Sequence, residues 1–521
     1  MKPCKWAYSR VLAALLMLLL VGSSSVSALQ ATPTQPDLDW PPVSDGGNDS
    51  RFESLSDLTR YLIEVSFDYA SNRLEGSVRI DFTNFTGVPL AAIPVRLYPN
   101  AAYYGEGGTV IQSVTVDNLP ADGELSVQDT VLTIGLGRLL PDGGLTTIII
   151  DFLTIVPVDS AGSFGIFSHD ADRSMWILAD WYPIVAGWDR EGGFQLKPPT
   201  LWGDPTFSNA AVYQARIDVP NGLELVSTGR TIGREELPAR AVHVIETGPV
   251  REFAMVIDDG FRTFEQYAGE TLVRLSLDGA SDDELAWDLL HLAAKALESY
   301  GQRYGLYPYD ELDIVQTELA SALGVSWSGI VFMDSQRLAS ALDNGPDLDD
   351  ALVFTLIHEI GHQWWGGIVG VNSNDYAFMN ESVTNYSTIV VYDDLFGEEA
   401  AVVALRRWVA QPYLAMLEST GDGVVSTSID DVDDAVAFGR LIYGKGALGM
   451  LAIRLAIGDD AFFSALRSYA DDHSFGIATP ADLMAAFESA SGFDLALLWR
   501  MWFEEARTTP LEVEQLMDAA A

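Results

Sequence analysis

The chain has 521 residues, more than one hydrophobic core usually organises, so two or three domains are expected. Hydrophobic residues make up 48% of it, which is enough for packed interiors. The formal net charge of -44 argues against nucleic acid as a partner, because too few cations remain to replace the counterions around phosphates. The same charge argues against docking on anionic lipid.

The N-terminus has the pattern of a signal peptide over residues 1–28. Basic residues precede the apolar stretch Val11–Val21, which is too short to span a bilayer comfortably, and the small residues Val26-Ser27-Ala28 follow. An uncleaved anchor is the alternative, disfavoured because Gly22–Ser27 breaks the apolar run. We therefore expect a secreted or extracytoplasmic protein that is not inserted in the membrane after signal cleavage.

The single cysteine, Cys4, falls inside this predicted signal. The mature chain would then hold no cysteine and could not be stabilised by disulfides. Its stability must come from core packing and from any bound metal.

Residues 29–55 are rich in Pro, Asp, Gly and Ser and predict a flexible linker. From residue 56 to about residue 260 the chain shows short alternating runs such as Leu74–Phe82 and Val212–Val219, separated by turn residues. This pattern is typical of an all-β sandwich or barrel. We predict a sandwich-like N-terminal β domain over 56–260.

Helical spacing predominates after residue 260, beginning with the leucines of residues 282–304. Two apolar runs, Leu312–Val315 and Gly329–Phe332, predict strands, and Pro510–Val513 is expected to be a trailing extended piece. Residues 261–515 are therefore predicted to form a mostly α-helical domain with a small sheet.

The segment His358–His362 has the sequence H-E-x-x-H. Residues four apart share one face of a helix, so both imidazoles can ligate the same metal ion. Glu359 is rotated by one residue step and can reach a water held at that metal, as a general base requires. The pentapeptide alone is only moderately specific, and two ordinary core histidines are the alternative.

A catalytic zinc site needs three protein ligands and one open position. Glu381 stands among apolar residues on what reads as the next helix, and a glutamate buried there would be costly without a cation. A surface glutamate on an amphipathic helix is the alternative. The predicted metal ligands are His358, His362 and Glu381.

These residues resemble a known family. His358–Gly366 reads H-E-I-G-H-Q-W-W-G and Met379–Glu381 reads M-N-E, which is similar to the H-E-x-x-H-Q-W-F-G and W-L-N-E motifs of the aminopeptidase N-like gluzincins, at the family's spacing. The resemblance implies a thermolysin-like catalytic domain behind a sandwich-like N-terminal domain. It also implies one Zn²⁺ per chain and hydrolysis of a peptide or protein substrate, with Glu359 as the general base.

Ile442–Ala447 resembles the family's Y-x-K-G-A segment. The resemblance implies that Tyr443 donates a hydrogen bond to the oxyanion that develops in the transition state. From the residue types alone, a tyrosine packed in the core is the alternative.

A second stretch departs from the family. Its aminopeptidases carry a G-x-M-E-N strand whose glutamate binds the substrate's α-amino group, and here Ser326 takes the place of that glutamate. Gly324 and Ser326 are still predicted to lie along the substrate. Glu318, the nearest acid upstream, is out of register, and Tyr182–Asp189 replaces an acidic, Pro-rich segment that also helps to recognise the amine. Exopeptidase action is therefore not implied.

The competing hypothesis is a non-catalytic or non-peptide-hydrolysing zinc-binding relative on the same fold. Such relatives usually lose a metal ligand or the general base, and this sequence retains all of these residues.

Overall fold

The computed structural model describes residues 58–200, 202–204, 206–277, 283–336, 338 and 351–520. The predicted signal peptide (1–28) and linker (29–55) lie outside the described residues. They stay predictions, as do the domain limits.

The N-terminal part is built from strands whose side chains alternate between a buried and a more exposed face. In Leu145–Ile155, for example, every second residue from Thr146 onwards is buried. The strands are β1 (Thr59–Asp68), β2 (Arg73–Thr83), β3 (Leu90–Arg96), β4 (Gly108–Val116), β5 (Leu119–Pro120), β6 (Gly123–Ser126), β7 (Val131–Leu140), β8 (Leu145–Ile155), β9 (Phe167–Asp170), β10 (Met175–Leu178), β11 (Ile184–Val185), β12 (Trp188–Asp189), β13 (Gly193–Phe194), β14 (Ala211–Pro220), β15 (Glu224–Ser227), β16 (Arg230–Glu236), β17 (Arg240–Val250) and β18 (Met255–Asp258).

All of these strands except β12 and β13, which pair with each other, form one large and two smaller sheets around a common core. The large sheet has the order β16-β17-β14-β1-β2-β8-β4-β5, and the smaller ones are β15-β18-β10-β9 and β11-β3-β7-β6. Ile63 and Phe67 of the large sheet share their apolar cluster with Ile93 of β3 and Leu178 of β10. The predicted sandwich-like β domain is confirmed.

After β18 the chain enters a five-stranded sheet with the order β19-β20-β21-β23-β22. Its strands are β19 (Arg262–Ala268), β20 (Thr271–Leu277), β21 (Glu311–Thr317), β22 (Gly324–Trp327) and β23 (Ile330–Asp334). The two strands predicted from the apolar runs are β21 and β23, which pair in parallel. β22 pairs antiparallel with β23 and lies at the edge of the sheet.

Helices make up most of the remainder, as predicted. They are α1 (Asp283–Tyr304), α2 (Ala351–Gly361), α3 (Ser373–Phe396), α4 (Glu398–Ala404), α5 (Gln411–Ser419), α6 (Ala435–Phe438), α7 (Ala447–Ile457), α8 (Asp459–Asp472), α9 (Pro480–Ser491), α10 (Ala496–Trp499) and α11 (Pro510–Ala520), with a short strand pair β24 (Gly370–Val371) and β25 (Ile477–Ala478). Among the described residues, three segments have π-helical hydrogen bonding: Leu405–Ala410, Gly439–Gly446 and Arg500–Glu504.

The expected extended segment at Pro510–Val513 is wrong, because these residues begin α11. Thr509 and Glu512 cap the helix reciprocally. The Glu512 carboxylate accepts from the Thr509 amide at 2.8 Å, and the Thr509 hydroxyl accepts from the Glu512 amide at 3.3 Å. A capping box followed by proline in the first turn starts a helix, and this signal was missed.

The helix that carries the H-E-x-x-H motif is buried on nearly all sides. Every residue of α2 after Ala351 is buried. α1 packs against it, and the hydroxyl of Tyr300 donates to the carbonyl of Ile357 at 3.1 Å. The motif therefore lies in the middle of the α-rich core.

Ala435–Ile457 is long and apolar enough, by composition, to cross a bilayer, but 72% of its most apolar window is buried within the protein. A core helix of a folded domain has the same property. This stretch runs from α6 through the π-helical Gly439–Gly446 into α7, inside the α-rich part.

Candidate active site

Three potential metal ligands converge where α2 and α3 meet. The Nε2 atoms of His358 and His362 are 3.0 Å apart, and each is 3.3 Å from Oε2 of Glu381. A tetrahedral ion with bonds of about 2.0–2.1 Å would separate its ligand atoms by about 3.3 Å. Two imidazoles and a carboxylate, all buried, therefore fit Zn²⁺ in both chemistry and spacing.

The imidazole of His362 is oriented by hydrogen bonds at Nδ1, the ring nitrogen that does not face the other ligands. Its Nδ1 lies 2.8 Å from Oδ1 of Asn380 and 3.0 Å from the carbonyl oxygen of Trp365. Both oxygens only accept, so Nδ1 carries a proton, and Nε2 is the atom that can bind a metal once its own proton is lost. Asn380 was missed as a functional residue, although it immediately precedes Glu381. Asp375, a few residues before Glu381, does not take this role in the structure and pairs with Lys197 at 2.9 Å.

Burial opposes charge at this centre, and the neighbouring residues decide the outcome. The imidazoles outweigh the effect of burial on Glu381 and hold its pKa well below the usual range. Burial lowers the pKa of His358, whereas Glu381 overcomes burial at His362 and raises its pKa to about 10. The metal-free site therefore contains a carboxylate and an imidazolium, and a cation entering it must displace a proton.

Glu359 is buried beside the ligands and faces the same cavity. Burial raises its pKa to about 8, opposed by the positive charge of His362. The backbone of β22 passes directly over this side chain. A Cβ atom on Gly324 would lie 2.6 Å from Cγ and 3.0 Å from Oε1 of Glu359. Gly324 therefore leaves the space that the Glu359 side chain occupies.

Tyr443 lies in the π-helical segment Gly439–Gly446, with its ring 5.7 Å from that of His358. Its carbonyl accepts from Nδ2 of Asn385 at 2.7 Å, and the preceding carbonyl accepts from the hydroxyl of Ser382 at 2.6 Å. Burial, followed by the charge of Glu381, raises the pKa of Tyr443 well above its usual value. The phenol therefore stays protonated and can donate.

A buried ion pair fixes this segment. The ammonium of Lys445 is fully buried and donates to Asp422 at 2.9 Å and to the carbonyls of Gly423 and Glu505. A buried charge of this kind is tolerated only when it is paired and fully hydrogen-bonded. The motif lysine thus holds the Tyr443 segment in place without touching the metal ligands.

The hydroxyl of Ser326 is engaged by a residue of the metal-binding helix region. Nε2 of Gln363 donates to Oγ of Ser326 at 2.8 Å and to the carbonyl of Trp327 at 2.9 Å, while its Oε1 accepts from the Gly329 amide at 2.8 Å. Gln363 thereby ties β22 and the turn after it to the H-E-x-x-H segment. Glu318 forms an ion pair with Arg173 at 2.8 Å, and it is not among the described residues that line the cavity.

The ligands, Glu359 and Tyr443 open onto one cavity of about 460 Å³. Both predicted substrate-lining residues, Gly324 and Ser326, are in its wall. The β-rich part contributes two further carboxyl groups that the sequence did not suggest. They are Asp204 and Glu252, whose pKa values burial raises to about 6 and about 7.

The helical half of the chain matches a known family. Residues 289–502 match the model of the Peptidase family M1 domain. Over these residues the chain is similar to that domain. The match confirms the resemblance to aminopeptidase N-like gluzincins, whose cofactor is Zn²⁺, and His358, His362 and Glu381 form the site that fits this ion.

Similarity to curated relatives agrees with this match. Aminopeptidase N of Lactobacillus helveticus is 25% identical over 222 residues, 42% of this chain and 26% of that protein. Aminopeptidase M1-B of Oryza sativa subsp. japonica is 22% identical over 447 residues, 81% of this chain and 48% of that protein. The chain thus spans between a quarter and a half of the length of these two relatives.

The fold is also found in solved family M1 structures. The M1 zinc metallopeptidase from Deinococcus radiodurans superposes with a TM-score of 0.63 at 16% identity, covering 88% of this chain and 96% of that one. A mutant of that enzyme, solved with a Tyr-Ser-Ala substrate, superposes equally well. At this identity the likeness establishes a common two-part fold.

Replacing Asn380 with alanine is expected to weaken zinc binding about 10- to 100-fold, because His362 loses an acceptor that fixes its tautomer and orientation. Zinc affinity is measured by competition with a chromophoric chelator. Asn372→Ala is the matched control, since Asn372 is equally buried but donates to Asp189 and Asp375 instead. Equal zinc affinity in the two variants would contradict the role of Asn380.

Proposed function

We propose that this protein is a zinc-dependent metallopeptidase that hydrolyses peptide bonds of peptide or protein substrates. The observation that carries the proposal is the convergence of His358, His362 and Glu381 beside Glu359 and Tyr443 on one cavity. Retention of all three ligands and the base favours catalysis over a binding role. The names of the relatives, which are aminopeptidases and a zinc metallopeptidase, support the same reaction class.

Zinc bound by the three ligands supplies Lewis acidity, which polarises the scissile carbonyl and lowers the pKa of a water. A cation held by the three ligands favours the carboxylate form of Glu359, which takes the proton of the water as the oxygen attacks the carbonyl carbon. It then delivers that proton to the leaving amine, which departs neutral. Tyr443 donates its hydroxyl proton in a hydrogen bond to the carbonyl oxygen as negative charge develops there.

The same cavity offers an anchor for a free α-amino group at a different place from Ser326. Glu252 is at least nine-tenths buried and lies in the cavity wall with Asp204, and the two carboxyls interact electrostatically. An ammonium group would relieve their repulsion and donate charge-assisted hydrogen bonds to them in a poorly hydrated site. We therefore propose aminopeptidase action in which the β-rich part recognises the amine.

The proposed setting is extracytoplasmic, from the signal-like residues 1–28. With a net charge of -44, neither nucleic acid nor anionic membrane is proposed as a partner.

Glu359→Gln is expected to abolish hydrolysis, with a loss of at least about 100-fold in kcat, because the general base is removed. Zinc content, measured by atomic absorption, should stay at one per chain, since the ligands are untouched. His362→Ala should lose both zinc and activity. No cleavage of any peptide by wild-type protein at full zinc content would overturn the proposed reaction in favour of a binding role.

A peptide with a free N-terminus should be cleaved about 10- to 100-fold faster than its N-acetylated form, the range expected for a charged hydrogen bond. In Glu252→Gln this ratio should fall towards one, while cleavage of the acetylated peptide changes little. Glu318→Gln is the control, because Glu318 is held by Arg173. Equal cleavage of both peptides by the wild type would instead indicate an endopeptidase.

Gly324→Ala is expected to lower kcat about 10- to 100-fold with zinc retained, because the added methyl group displaces Glu359 from its position. Gly439→Ala is the matched control. Gly439 lines the same cavity and has helical φ and ψ of -56° and -43°. A Cβ atom added there would have open space around it. A normal rate for Gly324→Ala would show that Glu359 does not depend on this close approach.

A further inference from the structure

One buried arginine of the β-rich part reaches across to the metal-binding helix region. Arg251 directly follows β17 and is 6% exposed. Its Nε donates to the carbonyls of Gly366 at 2.6 Å and Gly367 at 2.9 Å, and Nη2 donates to Ile368 at 3.1 Å. The remaining acceptors are the carbonyls of Gly476 at 2.9 Å from Nη2 and Ser208 at 3.2 Å from Nη1.

All five of these acceptors are backbone carbonyls, so the guanidinium holds loops rather than a single partner side chain. Three of them belong to the turn that follows α2, where backbone carbonyls lack helical partners and carry partial negative charge. Burying a charge costs several kcal/mol unless it is satisfied in this way. The fork of five N–H donors in arginine suits such a site, and a lysine could reach only part of it.

The turn that Arg251 holds also carries the groups that orient a metal ligand. The carbonyl of Trp365 and Oδ1 of Asn380 both accept from Nδ1 of His362. Gly366 has a φ of +115°, and a Cβ atom there would lie 2.8 Å from Oδ1 of Asn380. The Gly367 amide donates to the carbonyl of His362 at 2.9 Å. A displacement of residues 365–367 would therefore move the Trp365 acceptor of His362 and change the packing of Gly366 against the Asn380 side chain.

We propose that Arg251 is a positioning residue for the metal ligand His362. Arg251 connects the turn after α2 to the β-rich part through hydrogen bonds, and this connection determines the zinc affinity of the site. The proposal rests on the proposed function only in taking Zn²⁺ as the ion. Gly370 fits this arrangement, since any Cβ at that position would overlap the guanidinium.

The test compares zinc affinity and the rate of zinc loss to a chelator in the full-length wild type, Arg251→Met, Arg251→Lys and Arg96→Met. Arg96 is the matched control, because it is 2% exposed and also donates to backbone carbonyls, those of Gln195 and Lys197, within the β-rich part. Arg251→Met is expected to bind zinc at least about 10-fold more weakly. Arg251→Lys should be intermediate, and Arg96→Met within about 2-fold of the wild type.

Both methionine variants should lower Tm, so a fall in Tm alone does not support the proposal. Wild-type zinc affinity in Arg251→Met, or equal weakening in Arg96→Met, would overturn it. If Arg251→Met does not fold, Arg251→Lys decides by the same criterion. Absence of peptide cleavage by zinc-loaded wild type would contradict the proposed function but leave this proposal standing.

Discussion

The active site depends on placing ionisable side chains inside an apolar helix pair. α2 is buried along almost its whole length, yet it carries His358 and Glu359 and is followed directly by His362, and α3 adds a buried Glu381. In such surroundings each charge costs several kcal/mol unless an opposite charge compensates it. The structure balances a carboxylate against an imidazolium when metal is absent. A bound cation would compensate the buried groups more fully, because it accepts a lone pair from each of the three ligands at once.

The residues that follow the two motif histidines can be explained by this need to hold polar groups rigidly. Gln363 ties the sheet edge to the motif, Trp364 donates its indole N–H to the carbonyl of Gly305 at 2.9 Å, and Trp365 donates to the hydroxyl of Ser387 at 3.0 Å. Gly366 then turns the chain at a φ that favours glycine. The residues Q-W-W of this motif therefore connect the metal-binding helix to neighbouring elements through hydrogen bonds.

Much of this arrangement was predictable from the sequence, and the limits have physical reasons. Periodicity of two and then 3.6 residues gave the order of the β-rich and α-rich parts, and the spacing of His358 and His362 on one helix gave the ligand pair. Long-range contacts gave no local signal. Asp204, Arg251 and Glu252 lie in a β-rich stretch with no motif, so nothing in their neighbourhood indicated the cavity. The helix at Pro510 was missed because the extended reading overlooked its capping box.

The place from which acidic groups enter the cavity affects how the site can recognise the amine end of a substrate. Here the edge strand β22 carries Ser326, whose hydroxyl is already bound by Gln363, while carboxyl groups enter the cavity from the β-rich part. A Cβ atom on Gly324 of β22 would lie 2.6 Å from Cγ of Glu359, so a carboxylate carried into the cavity by this strand would add a like charge near the general base and raise its pKa. Asp204 also raises the pKa of Glu359, so a bound ammonium group would relieve repulsion at the general base as well as between Asp204 and Glu252. In this protein, the β-rich part is therefore part of the active site and not only a support for it.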